Sequence, residues 1–552
     1  MKATFRQSMA WLHTWVGLVV AWVLFFVFLT GTASYVKDEI TRWMEPEHPL
    51  PSQVVPVQSS AMLELALKQL RAKSPPDFKA WTITLPHHDL KPRIEHPLSI
   101  SWEEQPFQHE ARRGEATLDP VTGQVQTGIT PRATEGGTGL LRMHYALHYL
   151  PEELAIWLVG ICTMLMLVAV VTGVVIHKKI FTDFFTFRPG KGQRSWLDAH
   201  NIVSVMTLPF FLMITYTGLV FFMSLYVPAG HTVMYGSSDA GRHAFIDELY
   251  FQKVDYQPVT PPKIPMSVIT QQAEQQWGKN NIASVTIMHP QGGTPYIELR
   301  RTGASGIHWR RGETLRFSAL DGQILTVDAL NKTALNTQYI LLGLHEGTFA
   351  DWWLRWLYLI SGLLGCAVIG TGLILWTTKR RTKYQKKLAN KPDLSLSEHI
   401  DAAGLRLVDV LNLGTLIGLP LGLAAYFWAN RLLPVQMLER AQWEIHALFL
   451  VWGAAFLLAA VRPLKQAWLE LLWLTCGSYA LLPVLNALTT DRHLGVTLPY
   501  GDWVLAGFDL SMLGLAAGFA YMAIKVKRKW LITEQLNIPT TQSKLPLTGD
   551  TP

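Results

Sequence analysis

The chain has 552 residues, of which 49% are hydrophobic and 16% charged, against roughly 25% charged in ordinary soluble domains. With a mean hydropathy of +0.18, this excludes a disordered chain, a disulfide scaffold and a simple cytosolic enzyme. The net charge of +7 does not point to nucleic acid, because Lys and Arg crowd beside apolar runs, as orientation signals do.

A membrane span takes about 20 mostly apolar residues. Eight are read, at 11–35, 154–176, 203–227, 354–376, 407–428, 446–461, 467–487 and 503–524. The first follows Lys2 and Arg6 but runs long for a signal peptide, and no small-x-small cleavage site follows it. The fold class expected is therefore a mainly α, polytopic membrane protein. Basic residues fill 177–200 (Lys178, Lys179, Arg188, Lys191, Arg194), 377–406 and the start of the tail (Lys525, Lys527, Arg528, Lys529). The loops near 429–445 and 488–502 hold only Arg431, Arg440 and Arg492. The positive-inside rule then puts both termini in the cytoplasm and two large segments, 36–153 and 228–353, outside, in the periplasm of a Gram-negative cell.

The division expected is a first span at 1–35, an outer module at 36–153, two spans and a basic loop at 154–227, and a second outer module at 228–353. A fourth span with its basic segment follows at 354–392, then a four-span extension at 393–530 and a disordered tail at 531–552. Each outer segment reads as a small α+β module. In the first, a helix at 60–73 precedes strands at 80–85, 97–102 and 115–119 and a turn at 120–123. In the second, a helix at 266–277 precedes strands at 282–288, 295–300 and 314–320 and an Asp321-Gly322 turn. His87 and His88 read as exposed in a Pro-flanked loop. Neither module shows a nucleophile-and-base pattern.

Two offsets indicate an internal duplication. His13 and Thr30-Gly31 match His200 and Thr217-Gly218, 187 residues on. Gly123-Gln124 and Thr172-Gly173 match Gly322-Gln323 and Thr371-Gly372, 199 residues on. Such repeats place sites at the repeat interface.

The three cysteines, Cys162, Cys366 and Cys476, form no C-x-x-C or C-x-x-C-H. Cysteine-ligated zinc and covalently attached haem are thus not expected. Histidine is the ligand type left. Of 18 His, six sit at span ends: His13, His177 and His200 on the cytoplasmic side, His144, His148 and His345 on the outer side. Ionisable residues at membrane depth are functional candidates. Two neutral imidazoles on opposite faces of a porphyrin make a haem site that helices can build, and two clusters would hold two haem b groups. His13 and His200 are repeat mates, with His177 as a rival. His144 and His148, four apart, are placed on one helix face, and His345 lies between their mates. The iron ligands expected are His13, His200, His148 and His345, with His177 and His144 as alternatives. Arg142 and Arg355 are candidates for pairing with haem propionates. In the extension, Asp409, His446 and Asp509 read as interfacial residues at span ends.

The runs WLHTWVG at 11–17, HKKIFTDFFTFRPGKGQRSWLDAHN at 177–201 and LLGLHEGTFADWWLRWLYLISGLLG at 341–365 resemble the PepSY-associated transmembrane family, and the outer modules resemble PepSY domains. The resemblance covers about residues 5–385. It implies a haem-dependent ferric-chelate (ferrisiderophore) reductase of the bacterial inner membrane. Such a protein moves electrons outward to a ferric siderophore or other chelate held between the modules, and releases Fe(II). Ser204 stands where the first-span pattern has Gly17. No G-x-G-x-x-G follows a strand, so the electron donor expected is a quinol or a partner protein. The alternatives are a non-enzymatic PepSY protein that binds peptides or restrains a periplasmic protease, and an iron-complex transporter.

Overall fold

The structure, a computed structural model, describes all residues except 1–2, 49, 51–57, 74–77, 89–94, 105–112, 127–130, 178–181, 183, 251–263, 290–293, 303–306, 308–313, 326–332, 391–395 and 537–552. It divides into two compact units, Met1–Lys383 and Tyr384–Pro552.

The first unit contains α1 (Ala3–Ser34), α2 (Lys37–Met44), α3 (Ser59–Lys73), α4 (Gly136–Ala146), α5 (Glu152–Ile176) and α6 (Gln193–Phe221). Three shorter helices lie between Met223 and Tyr250. Then come α7 (Met266–Trp277), α8 (Thr333–Glu346) and α9 (Trp352–Asn390), the last running past the unit's end. Long apolar runs make α1, α5, α6 and most of α9 into candidate spans. Val19, Ile161, Met206, Leu212, Leu357 and Ile360 lie exposed on them, an apolar surface that suits lipid rather than water. Among the described residues, eight helices are long and apolar enough to cross a membrane, and all eight overlap the spans read from the sequence. The protein is a multi-pass membrane protein.

The strands are β1 (Phe78–Thr84), β2 (His87–His88), β3 (Glu95–His96), β4 (Ser99–Glu104), β5 (Arg113–Thr117), β6 (Ile282–Met288), β7 (Tyr296–Arg301) and β8 (Thr314–Ser318). Most fall within two residues of the sequence expectation. The expected loop at 87–88 is instead a short ladder, with His87 opposite His96. The larger correction concerns separateness. The two outer segments share one six-stranded antiparallel sheet, ordered β5-β4-β1-β6-β7-β8. Its centre is the β1–β6 pair, where Thr82 faces Thr286 and their Oγ1 atoms lie 3.4 Å apart. Alternation puts Trp81, Ile83, Ile100, Val285, Ile287 and Leu299 on one face. There they share a single core with Leu63, Leu67 and Leu70 of α3 and Ile269 and Ala273 of α7. The two outer segments are thus joined by a strand ladder and a common core.

One turn has the same form in both halves. Gly123 N–H donates to the Asp119 carbonyl and Gly322 N–H to the Ser318 carbonyl, at 2.8 and 2.9 Å. Both glycines have positive φ, 69° and 71°, which these turns need and a β-carbon resists.

The second unit holds α10 (Leu396–Leu413), a π-helical turn (Gly414–Gly418), α11 (Leu419–Leu432), α12 (Arg440–Val461), α13 (Leu464–Thr489) and α14 (Trp503–Leu536). The expected disordered tail lies, from 537 on, outside the described residues. Gly414, Gly418 and Gly422 recur every four residues and face α12. A Cβ on them would meet Phe456 at 2.2 Å, Ala455 at 2.7 Å and the Leu448 carbonyl at 2.8 Å. Small residues at this spacing let two spans approach closely.

Candidate functional site

Two histidine pairs form in the first unit, about 27 Å apart along the helices. His13 lies near the start of α1, and His144 packs on Gly31, 18 residues along the same helix at about 1.5 Å per residue. His200 and Gly218, where His345 packs, are spaced identically on α6. The separation is close to the roughly 30 Å of a bilayer's hydrocarbon core. The end that leads into the sheet segments carries His144 and His345; the other end carries His13 and His200.

At that other end the His13 and His200 ring centroids are 6.4 Å apart, with planes at 70°. Both line a cavity of about 550 Å³ walled by apolar residues such as Leu18, Val20, Leu24 and Phe211, with Lys379 also on its lining. His13 Nδ1 lies 2.8 Å from the Ala169 carbonyl of α5. His200 Nδ1 lies 3.0 Å from the Val368 carbonyl of α9, 199 residues on. A carbonyl only accepts, so each Nδ1 carries the proton and each Nε2 keeps its lone pair.

At the sheet end the His144 and His345 centroids are 6.1 Å apart, with planes at 39°. His144 Nδ1 donates to the Val27 carbonyl at 2.7 Å and His345 to that of Ile214, 187 residues on. Burial holds both imidazoles below the usual histidine range, His345 at about 3, where neighbouring His144 adds to the effect. Both are therefore neutral near pH 7. Among the described residues nothing hydrogen-bonds the four Nε2 atoms, and none is sealed from space around it. Nor do three or more His, Cys, Asp or Glu cluster there as a metal site.

The structure brings His144, and not His148, against His345. Helix α4 stops at Ala146. Leu147 and His148 both take positive φ, 50° and 57°, so His144 and His148 do not share a helix face, and the His148 ring packs on Tyr149. His177 lines the cavity, but its Nε2 takes the Asn201 amide at 3.0 Å. Arg355 is committed elsewhere: Nη2 donates to Glu39 at 2.7 Å and to the Tyr35 carbonyl at 2.6 Å. Arg142 is exposed.

Sequence reasoning missed the tyrosines that brace the His345 helix. The Tyr35 and Tyr358 hydroxyls donate to consecutive carbonyls, His345 and Leu344, at 3.2 and 2.8 Å. It also missed the polar interior of the second unit. Arg440 and Glu444 are fully buried and paired. Asn430 bonds Glu444 at 2.7 Å, Arg431 bonds Asn486 at 3.0 Å, and Asn486 bonds Asp509 at 3.0 Å. Asp509, expected at an interface, has no exposed surface.

The family model described as PepSY-associated TM region matches residues 10–379. No curated protein matches the chain.

Proposed function

This chain belongs to the PepSY-associated transmembrane family, and on that premise we propose that it is a haem-containing inner-membrane reductase. It carries electrons across the bilayer to a periplasmic ferric siderophore or other ferric chelate and releases iron as Fe(II). In this reading the sheet end is periplasmic, both termini are cytoplasmic, and the sheet halves are two PepSY modules. The first four spans with those halves are then a duplication. The recurrence of the 187- and 199-residue offsets in the histidine hydrogen bonds supports the duplication.

The observation that carries the proposal is the geometry of the two pairs. Two imidazoles on opposite sides of one metal ion, at about 2 Å per metal–nitrogen bond, have ring centroids about 6 Å apart. The observed separations are 6.4 and 6.1 Å, with Nδ1 tied to protein and Nε2 left over in all four rings. That donor set fits two haems, held by His13 with His200 and by His144 with His345. Haem would supply the one-electron Fe(III)/Fe(II) couple. The chain fixes each ring's tautomer and orientation, and walls the His13–His200 cavity with apolar side chains that exclude water. Its sequence has no G-x-G-x-x-G after a strand, and the donor in this reading is a quinol or a protein.

Protein purified from haem-replete cells should show a low-spin bis-histidine spectrum and about two haems per chain by pyridine haemochrome. His200→Ala or His345→Ala should each remove one haem, and His148→Ala neither. A ferric siderophore should reoxidise the dithionite-reduced protein. A folded but colourless protein would sink the proposal and leave the peptide-binding alternative.

A further inference from the structure

Four Thr–Gly steps, one in each of the first four spans, coincide with the four paired histidines. His13 lies on Thr172-Gly173, His200 on Thr371-Gly372, His345 on Thr217-Gly218 and His144 on Thr30-Gly31. We propose that these steps are cradles that position the haem ligands, the glycine of all four making room for the ring and the threonine of three, Thr172, Thr371 and Thr217, reinforcing the tautomer that the carbonyls set. The inference rests on the haem reading above.

The threonine argument is one of proton counting. Each hydroxyl donates to the carbonyl four residues back: Thr172 to Val168, Thr371 to Ala367 and Thr217 to Met213, all at 2.7 Å, and Thr30 to Phe26 at 2.8 Å. Back-bonding of this kind spends the hydroxyl proton inside the helix. The oxygen can then only accept from a neighbour. His13, His200 and His345 place Nδ1 at 3.3, 3.2 and 3.1 Å from these oxygens. Each Nδ1 thus meets two acceptors, a carbonyl and a hydroxyl, and must hold the proton. Nε2 is left as the metal-binding nitrogen, made more basic by the acceptors behind it.

The glycine argument is one of space. A Cβ on Gly173 or Gly372 would lie 3.2 Å from the histidine Cε1, and one on Gly218 3.0 Å from it. On Gly31 it would lie 2.6 Å from both Cε1 and Nδ1 of His144. Gly514 offers an internal control: it lies in a span, α14, is not on the cavity lining, and a Cβ there meets nothing within 4 Å. The fourth cradle also differs chemically, because His144 Nδ1 bonds the Val27 carbonyl alone.

The test uses the full chain in detergent. Gly31→Ala should halve the haem-to-protein ratio, and Gly514→Ala should leave it unchanged. Thr217→Val should keep its haem but raise the midpoint potential of one haem, since a less basic ligand favours Fe(II). Thr217→Ser should restore it. In haem-free protein labelled with ¹⁵N-histidine, the four resonances, assigned by difference against single His→Asn variants, should report Nδ1–H tautomers. Full haem content in folded Gly31→Ala, equal loss in Gly514→Ala, an unmoved potential in Thr217→Val, or Nε2–H tautomers would each overturn the cradles. Wild-type protein without haem would instead overturn the function, while the tautomer measurement would still decide the cradles.

Discussion

In Met1–Lys383, four imidazoles keep a nitrogen that no described residue satisfies, and they do so in pairs across a gap of about one metal ion. In Tyr384–Pro552, buried Arg440, Glu444, Asn430, Arg431, Asn486 and Asp509 hydrogen-bond one another. Both arrangements place polar atoms on or against membrane-spanning helices, where an unmatched group costs several kcal/mol. The first leaves the cost open for a ligand to settle. The second meets most of it within the protein, which makes that network a structural element whose members depend on each other. Ion pairs at three depths of burial test how far closure matters.

The largest effect belongs to Arg440–Glu444, whose side chains are both 0% exposed. Glu444 also accepts from Asn430. Glu444→Ala would strand a buried guanidinium, a change that costs about 3–5 kcal/mol. The expected outcome is a large fall in the unfolding midpoint of detergent-solubilised protein. Glu444→Gln, which keeps an acceptor for Asn430, should lose less. Equal midpoints for wild type and Glu444→Ala would show that the network is not closed in the sense argued.

The next pair, Arg132–Glu47, lies in the first unit at 9% and 16% exposure, with N–O 2.7 Å. Burial by itself would raise the Glu47 pKa. The Arg132 hydrogen bond and charge, with backbone N–H groups, outweigh burial and hold it below the usual carboxylate range. A carboxyl depressed in the folded state adds stability above its unfolded pKa of about 4.5, and that stability is lost as pH falls through the folded value. Thermal midpoints taken from pH 6 downward should therefore drop more steeply in wild type than in Glu47→Gln. Parallel curves would contradict the shift.

These contrasts also show what the sequence could reveal. Spans were legible because about 20 apolar residues leave few alternatives, and strands because Trp81, Ile83 and Val285, Ile287 alternate as a half-buried sheet must. The union of the two modules was hidden, since the β1–β6 pairing joins residues about 200 apart and no local signal encodes it. The matching sequence offsets pointed to the histidine ends. They did not decide between His144 and His148, because that depends on two non-glycine residues, Leu147 and His148, adopting positive φ, against ordinary propensity. The Thr–Gly dipeptides were visible as repeat marks, but their contact with histidines on other helices was not. Arg431 and Arg440 counted as loop charges when only charge and loop position were read. In three dimensions they are 6% and 0% exposed, since Arg431 lies in the last turn of α11 and bonds Asn486, and Arg440 opens α12 paired with Glu444.

The smallest effect belongs to the pair with the most generous geometry. Arg462 Nε reaches both Glu470 carboxylate oxygens at 3.1 Å, and Nη2 adds a third bond at 2.5 Å. Its side chains are 51% and 33% exposed. By hydrogen-bond count it outranks Arg132–Glu47. By environment it ranks last, because water and salt compete for both charges and the long side chains lose freedom on pairing. Removing Arg462 leaves Glu470 free to be solvated, whereas removing Glu444 leaves Arg440 no such recourse. Arg462→Ala should therefore leave the unfolding midpoint unchanged within error at moderate salt, with any effect confined to low ionic strength. A drop comparable to that of Glu444→Ala would mean that bond geometry, and not closure from solvent, decides what an ion pair contributes to this unit.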